Sequence, residues 1–248
     1  MKQNIYDNDT FFLKYQEIRS RKHNYNNLLE QPNFFSLLPS LKDKVVLDIG
    51  CGAGNFAAYC VEQGARQVTG IDISSNMISL ARKRHVYENL RFEQIAFEDM
   101  TVQNETVDLI SSSLAFHYMA DFQLLIKKIS ATLSEEGILL FSTEHPIETA
   151  NKGKDNWIKD EEGNLLHFAI DNYQNEGLRT QNWIVDDVIM YHRTMSTILN
   201  TLIENGLQIE KVIEPVPTNE AGNIYPNLNK EFRRPSFLII RARKLKLY

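Results

Sequence analysis

The stretch from Val45 to Phe56, reading Val-Val-Leu-Asp-Ile-Gly-Cys-Gly-Ala-Gly-Asn-Phe, constrains what this chain can fold into more than any other. Val45 to Ile49 is apolar and largely β-branched apart from Asp48, which is the composition of a buried strand. The small residues that follow lead into Phe56-Ala57-Ala58-Tyr59-Cys60-Val61, which has helical spacing. A strand that passes through a glycine turn into a helix frames a nucleotide-type pocket. Without a Cβ, Gly50, Gly52 and Gly54 let a ligand approach the main chain and reach the free N–H groups of the helix start. Further on, Gln67-Val68-Thr69-Gly70-Ile71 reads as a second strand closed by Asp72, which places a carboxylate where it can take both hydroxyls of a ribose.

A dinucleotide fingerprint, G-x-G-x-x-G, would carry its third glycine one residue later, and position 55 here is Asn. The segment Asp48-x-Gly50-x-Gly52-x-Gly54, followed by Asp72-Ile73-Ser74-x-x-Met77, instead resembles the first motifs of the class I S-adenosylmethionine-dependent methyltransferases. That resemblance implies an α/β fold, a doubly wound, mostly parallel, seven-stranded Rossmann-like sheet. It implies S-adenosylmethionine as cofactor and S-adenosylhomocysteine as its product. Asp72 would take the ribose and Asp48 would help hold the methionine ammonium, with Gly50, Gly52, Ile73 and Met77 beside them. In this family an N-terminal helical cap folds over the cofactor with a Tyr and an Arg one turn apart. Tyr15 and Arg19 stand at that spacing, and Arg19 would meet the methionine carboxylate; an exposed arginine on a solvated face is the alternative. The family usually places an Asp after the third strand for the adenine amino group. Ala96 occupies that position, so the contact falls to the Phe97 main chain or to Glu98.

The rest of the chain alternates as such a sheet requires. Apolar spacing predicts cap helices over 8–21 and 25–38, then helix 76–85, strand 90–96, strand 107–112, helix 122–133 and strand 137–143. Ligands of open α/β sheets bind outside the carboxyl ends of the strands, so Ser113, Leu114, His117 and Tyr118 are candidates for the pocket floor. A proton taken from the acceptor would go to His145 or His117, the candidate catalytic residues, although His117 has a capping or packing role as its alternative. The run Ser142-x-Glu144-His145-Pro146, with Tyr191-His192-Arg193-Thr194 and Arg233-Arg234-Pro235-Ser236-Phe237-Leu238, resembles a small-molecule branch of these enzymes. From 147 to 187 the alternation stops. Strands at 165–171 and 178–185 are expected to pair as a hairpin about Asn175-Glu176-Gly177, a lid carrying Trp157 and Trp183. Helix 194–205, strand 207–214, a Pro-rich loop 215–229 and strand 236–243 complete the sheet.

These segments assign one methyltransferase domain over 1–248: a cap at 1–40, a cofactor-binding core at 44–146, an inserted lid at 147–187 and the rest of the sheet at 188–248. A chain of 248 residues is large enough for such a core. Net charge is −5 and the isoelectric point is near 5.7, which argues against a broad phosphate-binding surface and makes nucleic acid an unfavourable partner. Mean hydropathy is −0.34 and there is no bilayer-length apolar run, so no membrane partner is expected and the cytoplasm is the expected compartment. The only cysteines, Cys51 and Cys60, suggest neither a disulfide framework nor a zinc site, and no metal is expected. The expected activity is methyl transfer to a small organic acceptor at N, O or C. The alternatives are an RNA- or protein-modifying methyltransferase, a non-catalytic S-adenosylmethionine binder, and, outside the family, a nicotinamide oxidoreductase. The oligomeric state is left open.

Overall fold

A computed structural model describes residues 3–101, 106–152 and 156–246. Seven strands form one sheet: β1 (Val45–Ile49), β2 (Gln67–Asp72), β3 (Leu90–Gln94), β4 (Val107–Ser113), β5 (Leu133–Glu144), β10 (Leu207–Ile213) and β11 (Phe237–Lys244). Their order is β10-β11-β5-β4-β1-β2-β3. Every neighbouring pair from β3 to β5 is parallel, and β11 runs antiparallel to both β5 and β10. The order reverses beside β1, where β2 lies on one side and β4 on the other, and a crevice opens at such a switch point. Central strands covered on both faces read as continuous apolar runs, and Val46, Leu47 and Ile49 are all buried.

Helices cover both faces. Preceding the sheet are α1 (Asp9–Ser20), a π-turn at Asn26–Glu30 and α2 (Gln31–Phe35). Between strands lie α3 (Asn55–Glu62), α4 (Ser75–Arg84) and α5 (Phe122–Thr132). After β5 come α6 (Pro146–Ala150), then β6 (Trp157–Lys159), β7 (Leu165–Phe168), β8 (Gly177–Trp183) and β9 (Val185–His192), and then α7 (Met195–Glu204) and α8 (Asn219–Ile224). α5 stacks Leu125, Ile126 and Ile129 against Leu139 and Phe141 of β5, while α3 and α4 bury Ala57, Cys60, Ile78 and Ala81 on the opposite face.

The segment after β5 departs from the pairing expected from sequence. β7 pairs with β6, and β8 pairs with β9, so 165–171 and 178–185 are not partners. The turn of the long hairpin is at Trp183-Ile184-Val185, with Ile184 at φ +61°, and Asn175-Glu176-Gly177 lies at its base. A β-branched residue at positive φ carries no turn signal, whereas the Asn and Gly of 175–177 do, which explains the misplacement. The Pro-rich loop 215–229 also contains structure, α8 and a 3-10 turn at Pro226–Phe232.

The N-terminal segment is fastened to the core through α4. Ser74 caps that helix by accepting the Met77 N–H (3.1 Å), and its own hydroxyl donates to Asp7 Oδ1 (2.6 Å). Asp7 also accepts the N–H groups of Ser75 (3.2 Å) and Asn76 (3.1 Å). Burial alone would raise the Asp7 pKa, but the bonds from Ser74, Asn76 and Ser75 outweigh it and bring the carboxyl down to about 2. Because the folded-state pKa lies below the ordinary 3.8, the stabilisation is present above about pH 4 and is lost as pH falls toward 2. Asp7→Ala is expected to lower unfolding free energy by about 0.5–2 kcal/mol at pH 7. Denaturant titrations should find the gap between wild type and variant closing below pH 4.

Candidate functional site

The glycine turn between β1 and α3 is held by the neighbouring strand. The N–H groups of Gly50 and Cys51 both donate to the Ile71 carbonyl, at 2.8 and 2.9 Å. Gly50 has φ +71°, and a Cβ there would stand 2.6 Å from Ala115 Cβ. Gly54 has φ +80°, and a Cβ there would meet the Phe92 ring at 2.5 Å. Gly52, at φ +52°, has open space ahead of it. Asp72 then spans the turn: Oδ2 accepts the Gly52 N–H and Oδ1 the Ser74 N–H, each at 2.9 Å. Burial raises its pKa, opposed by those N–H bonds. Asp48 is buried at the end of β1, takes the Ser111 hydroxyl (2.9 Å), and is pushed up to about 7, chiefly by burial.

These groups face a cavity of 1220 Å³ over the carboxyl edge of the sheet. It is lined by every residue assigned to the cofactor from sequence: Tyr15, Arg19, Asp48, Gly50, Gly52, Asp72, Ile73, Met77, Phe97, Glu98 and Ser113. α1 brings Tyr15 and Arg19 over the turn, and Arg19 Nη1 is buried with no hydrogen-bond partner among the described residues. Tyr15 edges onto Tyr6 (5.0 Å between ring centroids) and onto Trp183 at the hairpin turn (6.1 Å), and Trp183 edges onto Phe11 (5.3 Å). Gln3 ties the same layers, donating to Asp187 O (2.9 Å) and accepting from the Ile189 N–H of β9 (2.8 Å). Cap and hairpin therefore meet in an aromatic roof over the cavity.

The two histidines separate. His117 lines the cavity, with Nδ1 3.4 Å from both the Thr143 hydroxyl and the Glu144 N–H. Burial, then the charge of Arg193, hold its pKa down to about 3, so the ring is neutral and a weak base at neutral pH. His145 is absent from the cavity wall. Its Nδ1 accepts the Ile147 N–H (3.1 Å), capping α6, and its Nε2 meets Glu214 Oε1 (2.8 Å). With both nitrogens committed beside the sheet edge, His145 is a structural residue, which corrects its assignment as a proton acceptor.

The other motifs turn out to be clamps. Arg193 donates to the carbonyls of Phe116 (3.4 Å), Met119 and Ala120 (3.2 Å) and lies over the Phe122 ring, fixing the loop that carries His117. Arg233 donates to Leu165 and Leu166 of β7 and stacks on Trp157, and Arg234 stacks on Phe168. Sequence reasoning passed over Glu30, which is fully buried in the cavity wall. It took Glu144 only as part of a motif. The one available signal was an acid directly after Leu28-Leu29 in an otherwise apolar face.

A seven-stranded sheet of this order, with a glycine turn and a ribose-spaced acid at its switch point, defines a Rossmann-like nucleotide-binding enzyme core. A family model described as a methyltransferase domain matches residues 40–181, more than half of the chain. An uncharacterized protein of Haemophilus influenzae is 36% identical over 97% of both chains. A crystal structure from Listeria monocytogenes aligns with TM-score 0.81 and 40% identity over 88% of this chain and 98% of that one. An S-adenosylmethionine dependent methyltransferase from Mesorhizobium loti aligns with TM-score 0.81 and 36% identity over 87% and 97%. The chain belongs to the class I S-adenosylmethionine-dependent methyltransferases.

Replacing His145 tests its reassignment. His145→Ala is expected to cost about 1–3 kcal/mol of stability through the lost cap and the buried groups it leaves unpaired. Affinity for S-adenosylhomocysteine, measured by calorimetry, should stay within twofold.

Proposed function

We propose that the protein transfers the methyl group of S-adenosylmethionine to a small organic acceptor held under the aromatic roof. The observation that carries this reading is the single cavity shared by the glycine turn, Asp72, Asp48 and the unpartnered Arg19 Nη1, closed over by α1 and the β8–β9 hairpin. The residues fit the cofactor chemically. A buried guanidinium nitrogen without a partner suits a carboxylate. Asp48, buried with no cation acting on it among the described residues, suits an ammonium. Each oxygen of Asp72 accepts a main-chain N–H and has lone-pair capacity left for a ribose hydroxyl. Ile73, Met77 and Phe97 line the cavity and would flank the adenine, with the Phe97 main chain or Glu98 for its amino group, since Ala96 has no carboxylate to offer.

When bound, the cofactor supplies a methyl already activated by sulfonium charge. The protein's part is to align an acceptor atom with it and to exclude water, which carries most of the rate. Tyr6, Tyr118, Tyr191 and Trp183 wall that space, and a roof joined to the cap through Gln3 favours a compact acceptor over RNA or a folded protein. We read the 147–187 insertion, continued through β9, as the lid of this site.

Cofactor binding should respond to both acids. Asp72→Ala removes two carboxylate–hydroxyl bonds worth about 1.5–3 kcal/mol each, so S-adenosylhomocysteine affinity should fall roughly 100-fold or more. Unchanged calorimetric affinity in a folded variant would remove the basis of the reading. The Asp48 carboxyl, raised to about 7 in the free protein, must lose its proton to pair with an ammonium. Affinity is therefore expected to fall on acidification below pH 7, by up to about tenfold per unit, and Asp48→Asn should flatten that dependence.

A further inference from the structure

Beyond the cofactor-side residues, the cavity wall holds carboxylates to which the protein gives too few partners. Glu30, fully buried, accepts the hydroxyls of Ser113 (2.9 Å) and Ser142 (2.6 Å) through Oε1, while its Oε2 has no partner among the described residues. Glu144 lies two residues beyond Ser142 on the same face of β5, and its Oε2 is also buried and unpartnered among the described residues. Across the β5–β11 ladder Phe237 stands opposite Glu144, and Tyr25 edges onto both Phe237 (6.3 Å) and Tyr225 (5.9 Å). A buried carboxylate oxygen without a donor is costly, and aromatic faces attract a cation.

We propose that the methyl acceptor is a primary or secondary amine, bound as its ammonium between Glu144 and Glu30, and that Glu144 removes the proton that masks the nitrogen lone pair. This rests on the methyl-transfer reading above. The groups facing Glu144 agree with it. Burial, then the charge of Glu148, hold its carboxyl up at about 8 against the pull of Arg234 and Gln181, and a cation beside it reverses that balance. Arg234 is already shared, at 2.6 Å from Glu148 and 3.9 Å from Glu231. Tyr118 is kept protonated by burial, and neutral His117 accepts the Glu144 N–H at Nδ1, so neither competes as the base. Glu30 faces Arg19, whose charge the cofactor carboxylate would take.

The step balances. The ammonium gives one proton to the Glu144 carboxylate, and the freed lone pair forms the new N–CH3 bond. The electron pair of the broken S–CH3 bond stays on sulfur. Two cations thus become one methylated ammonium, one neutral thioether and one proton on the protein.

The test is calorimetry on protein saturated with S-adenosylhomocysteine, using matched probes. Phenethylamine is compared with 2-phenylethanol and phenylacetate, and 1,4-diaminobutane with 1,4-butanediol and succinate. At least one amine is expected to bind about tenfold or more tightly than its alcohol, with no carboxylate binding. Glu144→Gln should reduce amine affinity by about tenfold while S-adenosylhomocysteine affinity stays within a few-fold. With S-adenosylmethionine, methylation of that amine should rise with pH through one ionisation that the variant lacks. If no amine binds, if an alcohol or carboxylate binds as well, or if Glu144→Gln keeps wild-type amine affinity and pH profile, the amine proposal is overturned. In that case, S-adenosylhomocysteine binding in the same titrations leaves the methyl-transfer reading standing. Failure of wild-type protein to bind S-adenosylhomocysteine would overturn the latter instead.

Discussion

The structure depends on one carboxylate. Asp72, at the end of β2, holds the Gly52 N–H with one oxygen and the Ser74 N–H with the other, so the glycine turn and the start of α4 keep a fixed separation. Neither segment has a side chain able to do this from its own side. Gly52 has none, and the Ser74 hydroxyl is committed to Asp7. Burial makes the arrangement stiff, because a carboxylate away from water loses more when a donor is removed than an exposed one does. A ligand hydroxyl approaching Asp72 meets an acceptor whose position is already set by the main chain.

The layer above is organised around the same point. Asp7 accepts from Ser74, Ser75 and Asn76, which anchors the N-terminal segment to the α4 start that Asp72 positions. From that anchor α1 carries Tyr15 and Arg19 over the turn, and Gln3 reaches β9. Trp183 completes the contact by packing on Phe11 and Tyr15. The hairpin is therefore joined to Tyr15 by packed rings rather than by backbone pairing.

Residues that look alike in sequence divide by burial and by what surrounds them. His117 and His145 both follow strands ending at the same edge, yet one faces the cavity and the other is spent on a helix cap and on Glu214. Arg19 keeps a nitrogen free, whereas Arg193 and Arg233 are consumed by main-chain carbonyls that hold loops in place. Arg19 thus differs from the other two because no main-chain carbonyl among the described residues accepts from its Nη1.

The sequence by itself determined the fold and family of the protein and which residues gather at the glycine turn. Asp48, the glycines, Asp72 and Met77 lie on consecutive strand–turn–helix units, where spacing along the chain is spacing in space, so a short motif specifies a three-dimensional arrangement. The Tyr15 and Arg19 pair was legible for the same reason, one helical turn being a local rule. The part of the cavity proposed to hold the acceptor was decided only by tertiary structure. Glu30 from the cap, Glu144 from β5 and Phe237 from β11 converge through the sheet order and the crossing of the cap, which no local pattern encodes. The hairpin register turned on Ile184 at positive φ, a conformation imposed by pairing and packing against the intrinsic preference of the residue.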